Sequence, residues 1–366
     1  MRRRVATNET QARQPLARAA TAFSKAVVAA GLAVGVAGCN GAGLLGGAQA
    51  VPLPEALSRH AHAVTTAPPV TAEGTYRVTT SRIVISEPSG VGRPERLLPT
   101  EIWIPVPSRP APGRPKPARP PYPLVVFSQG YDLSVAAYSG LLAGWSSAGF
   151  VVAAPTYPHT SPTDPAELDE NDIINHPNDL RFVISTLLRL ARQPHTSLFG
   201  LVDTSEIGIA GHSDGGDVTL AVGDNSCCRD ALVKAVAVFS GAELDSFGGA
   251  YFQDPSPPLL VVQGNKDTIN FPVCSTQIFN SAKGTKFYLD LLGAQHEPPY
   301  AGPLVAPKAD RGIVAQVTTY FFDAELAGEP GALAALRKAG AVAGVASIRE
   351  GATAPPEPGR CPGSPS

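Results

Sequence analysis

The feature of this 366-residue chain that most constrains its fold is a series of six short apolar runs separated by longer segments of mixed polarity. Such runs are typical of strands that are buried on both faces, and their alternation with helices indicates a parallel sheet covered by helices. The six predicted strands are PLVVFSQG, FVVAAPTYP, EIGIAGH, VKAVAVFSG, PLLVVQGNKD and KFYLDLLGAQH. The sequence therefore predicts an α/β fold.

Two helices and an N-terminal strand pair complete this prediction. HPNDLRFVISTLLRLAR carries leucine, valine and isoleucine on one face, and GIVAQVTTYFFDAEL is a second candidate. GTYRVTTSRIVIS and RLLPTEIWIPVP are rich in β-branched residues and predict an antiparallel pair, followed by the proline-rich surface loop SRPAPGRPKPARPPYP. We expect one domain over residues 71–328, and a C-terminal helix with a Pro/Gly-rich tail over residues 329–366.

The motif GHSDGG centres on Ser213, which follows a predicted strand and precedes a possible helix start, GDVTLAV. A nucleophile elbow needs this sharp strand-turn-helix geometry. Gly211 and Gly215 would leave room where a Cβ would collide with neighbouring backbone. The alternative is a serine that falls by chance in a glycine-rich loop. Agreement of strand, turn and helix favours the nucleophile.

A serine nucleophile needs a base, and the base needs a carboxylate that fixes its tautomer. Of the seven histidines, only His296 lies downstream of the motif, after the last predicted strand. Asp267 stands just beyond a predicted strand end, where catalytic groups gather in such sheets. The rival carboxylates are Glu243 and Asp245, which follow the preceding strand. The predicted triad is Ser213, Asp267 and His296.

An oxyanion that forms on the substrate needs hydrogen-bond donors, and a pair of backbone N–H groups is the usual supply. One predicted donor is the N–H of Asp214, which directly follows the nucleophile. The other is the N–H of Tyr131 in FSQGYDLS, where Gly130 would let the chain turn. The Tyr131 ring could also form one wall of the acyl site, with a packed loop tyrosine as the alternative.

Five motifs in order then carry a family resemblance over about residues 76–326. They are FSQGY, HPNDLRFVISTLL, GHSDGG, GNKDTI and QHEPPY. Together they resemble the α/β-hydrolase superfamily, and within it the group of dienelactone-hydrolase-like proteins, chlorophyllases, platelet-activating-factor acetylhydrolases and polyester-cleaving cutinases. The resemblance implies a mostly parallel central sheet and the same nucleophile, acid, base and oxyanion donors, with no cofactor.

Two residues depart from the pattern of these families. Gln129 stands where many members have His before the glycine, and Asp214 stands where Met, Phe or Gln is frequent. The first departure affects the geometry of the oxyanion loop. The second places a carboxylate beside the oxyanion site, which would disfavour anionic acyl groups. Dienelactone hydrolases use a cysteine nucleophile, so the serine favours general ester hydrolysis.

The leading functional hypothesis is a serine carboxylesterase that works through an acyl-enzyme on a small-molecule or polymeric ester. The segment PHTSPTDPAELDENDIIN could form part of a cap over the site. An acyltransferase of the same fold is one alternative, and a catalytically inactive envelope binding protein is another. With a net charge of −2 and no P-loop or basic stripe, no nucleic-acid partner is predicted.

The first 39 residues predict an export signal. Arginines and a lysine precede the apolar run AVVAAGLAVGVAG, which is shorter than the ~20 residues that a spanning helix needs. VAGC resembles a lipoprotein lipobox, so we expect lipidation at Cys39, with ordinary secretion as the alternative. Residues 40–70 predict a flexible tether, in which GAGLLG lacks the context of a dinucleotide loop. The expected location is the bacterial cell envelope, with the membrane as partner.

Four cysteines remain after Cys39: Cys227, Cys228, Cys274 and Cys361. An even number in an oxidising compartment indicates disulfides. Adjacent cysteines seldom pair, so Cys227 and Cys228 are each expected to reach Cys274 or Cys361, with the connectivity open. No C-x-x-C or H-x-x-x-H spacing is present, and no metal site is predicted.

Overall fold

The structure is a computed structural model of the chain. It describes residues 76–89, 94–107, 120–162, 168–301, 309–351 and 353–365. The predicted export signal, the lipidation site at Cys39 and the whole tether over residues 40–70 lie outside the described residues. Within the described part of the chain, no helix is both long enough and apolar enough to cross a membrane.

One nine-stranded sheet forms the centre of the described chain, in the order β1-β2-β4-β3-β5-β6-β7-β8-β9. The strands from β4 to β8 in this order pair in parallel, whereas β1, β2 and β9 pair antiparallel. All six predicted parallel strands and the N-terminal antiparallel pair are confirmed. The strands are β1 (Tyr76–Glu87), β2 (Arg96–Pro107), β3 (Tyr122–Ser128), β4 (Val151–Pro155), β5 (Val202–His212), β6 (Val233–Phe239), β7 (Leu259–Gly264), β8 (Lys286–Leu291) and β9 (Ala346–Glu350).

Helices cover both faces of the sheet. Its central strands are therefore buried on both sides, which is why their sequences are continuous apolar runs. Every residue of β4 and β7 is buried, whereas β1 alternates exposed and half-buried positions over most of its length. The two predicted helices are confirmed as α2 and α5. The helices are α1 (Ser139–Ala148), α2 (His176–Arg192), α3 (Asp214–Asp224), α4 (Pro272–Ser281), α5 (Ala309–Glu325) and α6 (Ala332–Gly340).

The C-terminal region contains one strand that the sequence analysis did not predict. A helix was expected there and is present as α6, but β9 follows it and pairs antiparallel with β8. The run ASIRE is short, and apart from Ala346 its residues are exposed or half-buried. It has little apolar pattern of its own, and it becomes a strand because the edge of β8 offers unpaired backbone groups.

The cysteine pairing differs from the expectation. Cys274 is bonded to Cys361, and the adjacent Cys227 and Cys228 are bonded to each other. Cys274 lies in the first turn of α4 and packs with Cys361 in a small buried cluster. Cys227 lies in the turn after α3, where its N–H donates to the side chain of Asn225. The expectation that the adjacent cysteines reach the other two was wrong, because Cys227 and Cys228 pair with each other and Cys361 packs against Cys274.

The Cys274–Cys361 bond closes a loop with a sequence separation of 87 residues. Replacing both cysteines by serine should lower the free energy of unfolding by roughly 2–4 kcal/mol, because the unfolded chain regains loop entropy. The matched control is Cys227→Ser with Cys228→Ser, whose separation of 1 residue constrains almost nothing. Thermal unfolding of both variants measures the difference. Equal losses of stability would contradict the assignment.

Candidate active site

Ser213 lies at the turn between β5 and α3, and its backbone is in the left-handed region with φ 56°. This conformation is strained for a residue other than glycine, and such strained residues are found at functional turns. A Cβ on Gly211 would collide with the carbonyl of Gly215, and a Cβ on Gly215 would collide with the carbonyl of Ser128. The predicted strand-turn-helix elbow and the reason for its two glycines are confirmed.

The structure brings Ser213, His296 and Asp267 together at the carboxyl ends of β5, β8 and β7. His296 Nε2 lies 2.8 Å from Ser213 Oγ, and His296 Nδ1 lies 2.8 Å from Asp267 Oδ2. A carboxylate only accepts, so Nδ1 carries the proton and Nε2 is left to accept the Ser213 proton. All three residues are less than 10% exposed. In such an arrangement an imidazole can accept the proton of a serine hydroxyl while a carboxylate orients the ring.

Asp267 is held in place by hydrogen bonds to both of its carboxylate oxygens. Its Oδ1 accepts the backbone N–H groups of Ile269 and Asn270, at 2.9 and 3.0 Å. Burial by itself would raise the pKa of Asp267, but the hydrogen bond and positive charge of His296 and the N–H of Ile269 outweigh burial and lower it. Asp267 is therefore charged at neutral pH. The rivals Glu243 and Asp245 make no hydrogen bond to His296 among the described residues.

Gln263 is a supporting residue that the sequence analysis missed. This fully buried β7 side chain donates from Nε2 to Asp267 Oδ2 at 3.1 Å and to the carbonyl of Asn270 at 3.1 Å, while its Oε1 accepts the Ser275 hydroxyl at 2.6 Å. The available signal was a lone glutamine inside the apolar run LLVVQG. A buried amide must satisfy its hydrogen-bonding groups, so it marks a polar neighbour.

Of the two predicted oxyanion donors, Asp214 directly follows Ser213 in the chain and Tyr131 follows Gly130, which packs against Ser213. Asp214 is the first residue of α3, and the N–H groups of a first helical turn have no acceptor within the helix. Tyr131 follows Gly130, on which a Cβ would lie 3.1 Å from the Ser213 Cβ. The glycine is thus needed for close approach to the elbow. The chain turns here as expected, with the Leu133 N–H donating to the Gly130 carbonyl at 3.3 Å, and the φ of Gly130 is not in the left-handed region.

Comparison with known proteins agrees with this geometry. Residues 71–274 match the family model described as Chlorophyllase. The chain belongs to the chlorophyllase family. The predicted superfamily and its chlorophyllase-like group are thereby confirmed, and the chain is a hydrolase of the α/β type. The matched residues include Ser213 and Asp267, and His296 lies beyond them. No curated protein matches the chain.

The mouth of the site in this chlorophyllase-family protein is acidic. The pKa of the Tyr131 hydroxyl is raised by desolvation and by the negative charges of Glu170, Asp132, Asp169 and Asp214. The pKa of Asp214 is raised to about 7, mainly by burial and also by the charge of Glu170, while His296 opposes the rise. Oδ2 of Asp214 is buried and has no hydrogen-bond partner in the described part of the chain. An anionic group would therefore meet repulsion beside the nucleophile.

Part of the predicted cap is described, as a short 3₁₀ helix (Glu170–Asn175) that leads directly into α2. It is tied to the start of β2 by Arg96, which bonds Asp172 at 2.5 Å and Asp179 of α2 at 2.7 Å. Burial opposes the charge of Arg96, but its hydrogen bonds to both carboxylates raise its pKa above the ordinary value. The 3₁₀ helix that begins at Glu170 is thus held by a buried ion cluster.

No group of three or more His, Cys, Asp or Glu side chains among the described residues could hold a metal ion.

Proposed function

We propose that the protein is a serine carboxylesterase that acts through Ser213, His296 and Asp267. The observation that carries this proposal is the pair of 2.8 Å contacts that His296 makes with Ser213 Oγ and Asp267 Oδ2. An ester of a short acyl chain, as a small molecule or within a polymer, is the proposed substrate. Membership of a hydrolase family supports the reaction class.

The geometry supports a two-step mechanism. Ser213 Oγ attacks the ester carbonyl while its proton passes to His296 Nε2, and the backbone N–H groups of Tyr131 and Asp214 stabilise the oxyanion. The C–O bond to the alcohol breaks as His296 returns the proton to the leaving oxygen. Water then attacks the acyl-enzyme, with His296 as base, and releases the acid and free Ser213. Asp267 stabilises the imidazolium in both steps.

The test is labelling with a fluorophosphonate probe followed by peptide mapping, beside hydrolysis of p-nitrophenyl esters of increasing chain length. Label on Ser213 together with turnover would support the proposal. A folded protein that takes no label would overturn it and leave the binding protein as the leading alternative. Product analysis with an added alcohol separates hydrolysis from acyl transfer, because a transferase would form the new ester.

We further propose that the protein is exported to the bacterial cell envelope and anchored there through a lipid on Cys39. The basic leader, the apolar run and the VAGC sequence support this placement. Membrane fractionation of the full chain and of Cys39→Ser tests it. Wild type in the membrane fraction and a soluble variant are expected, whereas equal distributions would contradict the anchor.

Asp214 should make discrimination against anionic acyl groups depend on pH. Its pKa of about 7 means that the side chain is neutral at pH 6 and charged at pH 8. The ratio of kcat/KM for p-nitrophenyl butyrate to that for mono-p-nitrophenyl glutarate should therefore rise roughly tenfold between these values, the size of a charge pair partly screened by water. Effects of pH on the hydrolysis step itself are shared by both substrates and cancel in the ratio.

Asp214→Asn should flatten this ratio, because the amide carries no charge at either pH. The matched control is Asp203→Asn, which lies near the other end of β5 from Ser213 and should keep the wild-type dependence. A ratio that rises equally in the Asp214→Asn variant would show that another group discriminates.

A further inference from the structure

The residue before the nucleophile, His212, is fully buried and takes no part in the proposed mechanism. Its two ring nitrogens nevertheless join the two loops that flank Ser213. Nδ1 lies 2.8 Å from the hydroxyl of Tyr138, and Nε2 lies 3.1 Å from the carbonyl oxygen of His296. The Tyr138 hydroxyl in turn accepts the backbone N–H of Gly130 at 3.2 Å.

These contacts assign every hydrogen in the network. The His296 carbonyl can only accept, so His212 Nε2 carries a proton. In a neutral imidazole Nδ1 then accepts, so the Tyr138 hydroxyl donates to it and its oxygen remains free to accept from Gly130. The network runs in one direction, from Gly130 through Tyr138 and His212 to His296. A second proton on His212 would displace the Tyr138 proton from its acceptor.

The surroundings hold His212 neutral and fixed. The His296 ring centre lies 4.7 Å away and that of Tyr300 lies 4.8 Å away. The pKa of His212 is lowered to about 3, mainly by burial and also by the charge of His296, while the His296 carbonyl and the charge of Asp267 oppose the change. A neutral His212 does not repel the imidazolium that forms on His296 during the reaction.

We infer that His212, through Tyr138, is a positioning residue that fixes the oxyanion loop and the base loop relative to Ser213. Gly130 directly precedes Tyr131, so anchoring the Gly130 N–H sets the peptide that leads to the proposed donor. The His212 bond to the His296 carbonyl sets the backbone from which the base projects. This inference rests on the proposed esterase function for its effect on rate, and on the network alone for the state of His212.

The first test is Tyr138→Phe, which keeps the ring and removes the hydroxyl. We expect kcat for p-nitrophenyl butyrate to fall roughly 10–100-fold, since small misplacements of reacting groups have effects of this size. KM should stay within about twofold, and the rate of fluorophosphonate labelling should fall with kcat. The matched control is Tyr251→Phe. Its buried hydroxyl also pairs with backbone, the N–H and carbonyl of Leu244, but it lies outside the network.

A positioning role and a purely structural role of Tyr138 predict different results. A positioning role predicts a fall in kcat for Tyr138→Phe alone, measured at a temperature where both variants are folded. A purely structural role predicts that both variants lose similar thermal stability and keep wild-type kcat, and this result would overturn the inference. Wild type that neither labels nor turns over would instead count against the proposed function.

The second test does not depend on activity. In ¹⁵N-labelled wild type, the His212 ring nitrogens should report the neutral tautomer with the proton on Nε2 throughout pH 5–8. His212→Gln should remove that signal and assign it. An imidazolium at pH 6, or a proton on Nδ1, would overturn the one-way network even in a fully active protein.

Discussion

Ser213→Ala is expected to reduce ester hydrolysis by roughly 10⁴–10⁶-fold, the range found when a serine hydrolase loses its nucleophile. In the proposed mechanism the acyl-enzyme forms on this hydroxyl, which lies 2.8 Å from His296 Nε2. The alanine variant should also fail to react with a fluorophosphonate. Initial rates with p-nitrophenyl butyrate and intact-mass labelling measure both effects.

Stability should change little in this variant, because the Ser213 side chain contributes one hydrogen bond and almost no packing. Ser147→Ala is the matched control: it removes a buried serine hydroxyl from α1, where it bonds the Gly144 carbonyl, away from the site. Wild-type activity is expected for it. Residual turnover in Ser213→Ala within about tenfold of wild type would exclude Ser213 as the nucleophile.

The triad should also behave as a unit. His296→Ala is expected to be about as damaging as Ser213→Ala, and the double variant no slower than either single one. Asp267→Asn should be somewhat less damaging, since Ser213 and His296 remain. A double variant whose activity falls by the product of the two single losses would contradict a catalytic step that both residues share.

Arg96→Met is expected to lower the free energy of unfolding by about 3–5 kcal/mol, because it leaves buried carboxylates without their counterion. Arg96 is 4% exposed, and its guanidinium bonds both oxygens of Asp179, at 2.8 and 2.7 Å, and both oxygens of Asp172. Asp179 itself is completely buried. Denaturant unfolding at pH 7 measures the loss.

Arg77→Met is the matched control, because Arg77 is exposed on the neighbouring strand β1 and should change stability by less than about 0.5 kcal/mol. The two variants remove the same charge from the same edge of the sheet. Similar losses of stability in the two variants would show that stability depends on the net charge and not on the buried ion cluster. Arg96→Met should also weaken ester hydrolysis, since Asp172 belongs to the 3₁₀ helix that begins at Glu170 beside the mouth.

The elements that could be predicted from the sequence share one property: their signal is local. The parallel strands are apolar over their whole length, α2 carries its apolar stripe at helical spacing, and the elbow shows its strand, turn and helix within a dozen residues. The choice of His296 as the candidate base needed only its order after Ser213. Strand β9 could not be predicted, because its residues form a strand only against the edge of β8.

The sequence could not show which side chains from distant segments contact each other. The chain alone could not show that Cys274 meets Cys361, or that Gln263 holds Asp267. It also could not show that His212 joins Tyr138 to the His296 carbonyl. Each of these pairs joins segments that are far apart in the chain and that only the packed fold brings together.

The sequence by itself determined the α/β class, the elbow and the residue types able to act as nucleophile, acid and base, because these depend on local periodicity, turn chemistry and chain order. Only the tertiary structure decided which carboxylate contacts His296, which cysteines pair and what charge surrounds the nucleophile. Those outcomes depend on distances of a few ångströms between segments far apart in the chain, and hydrogen bonds and burial act only over such distances.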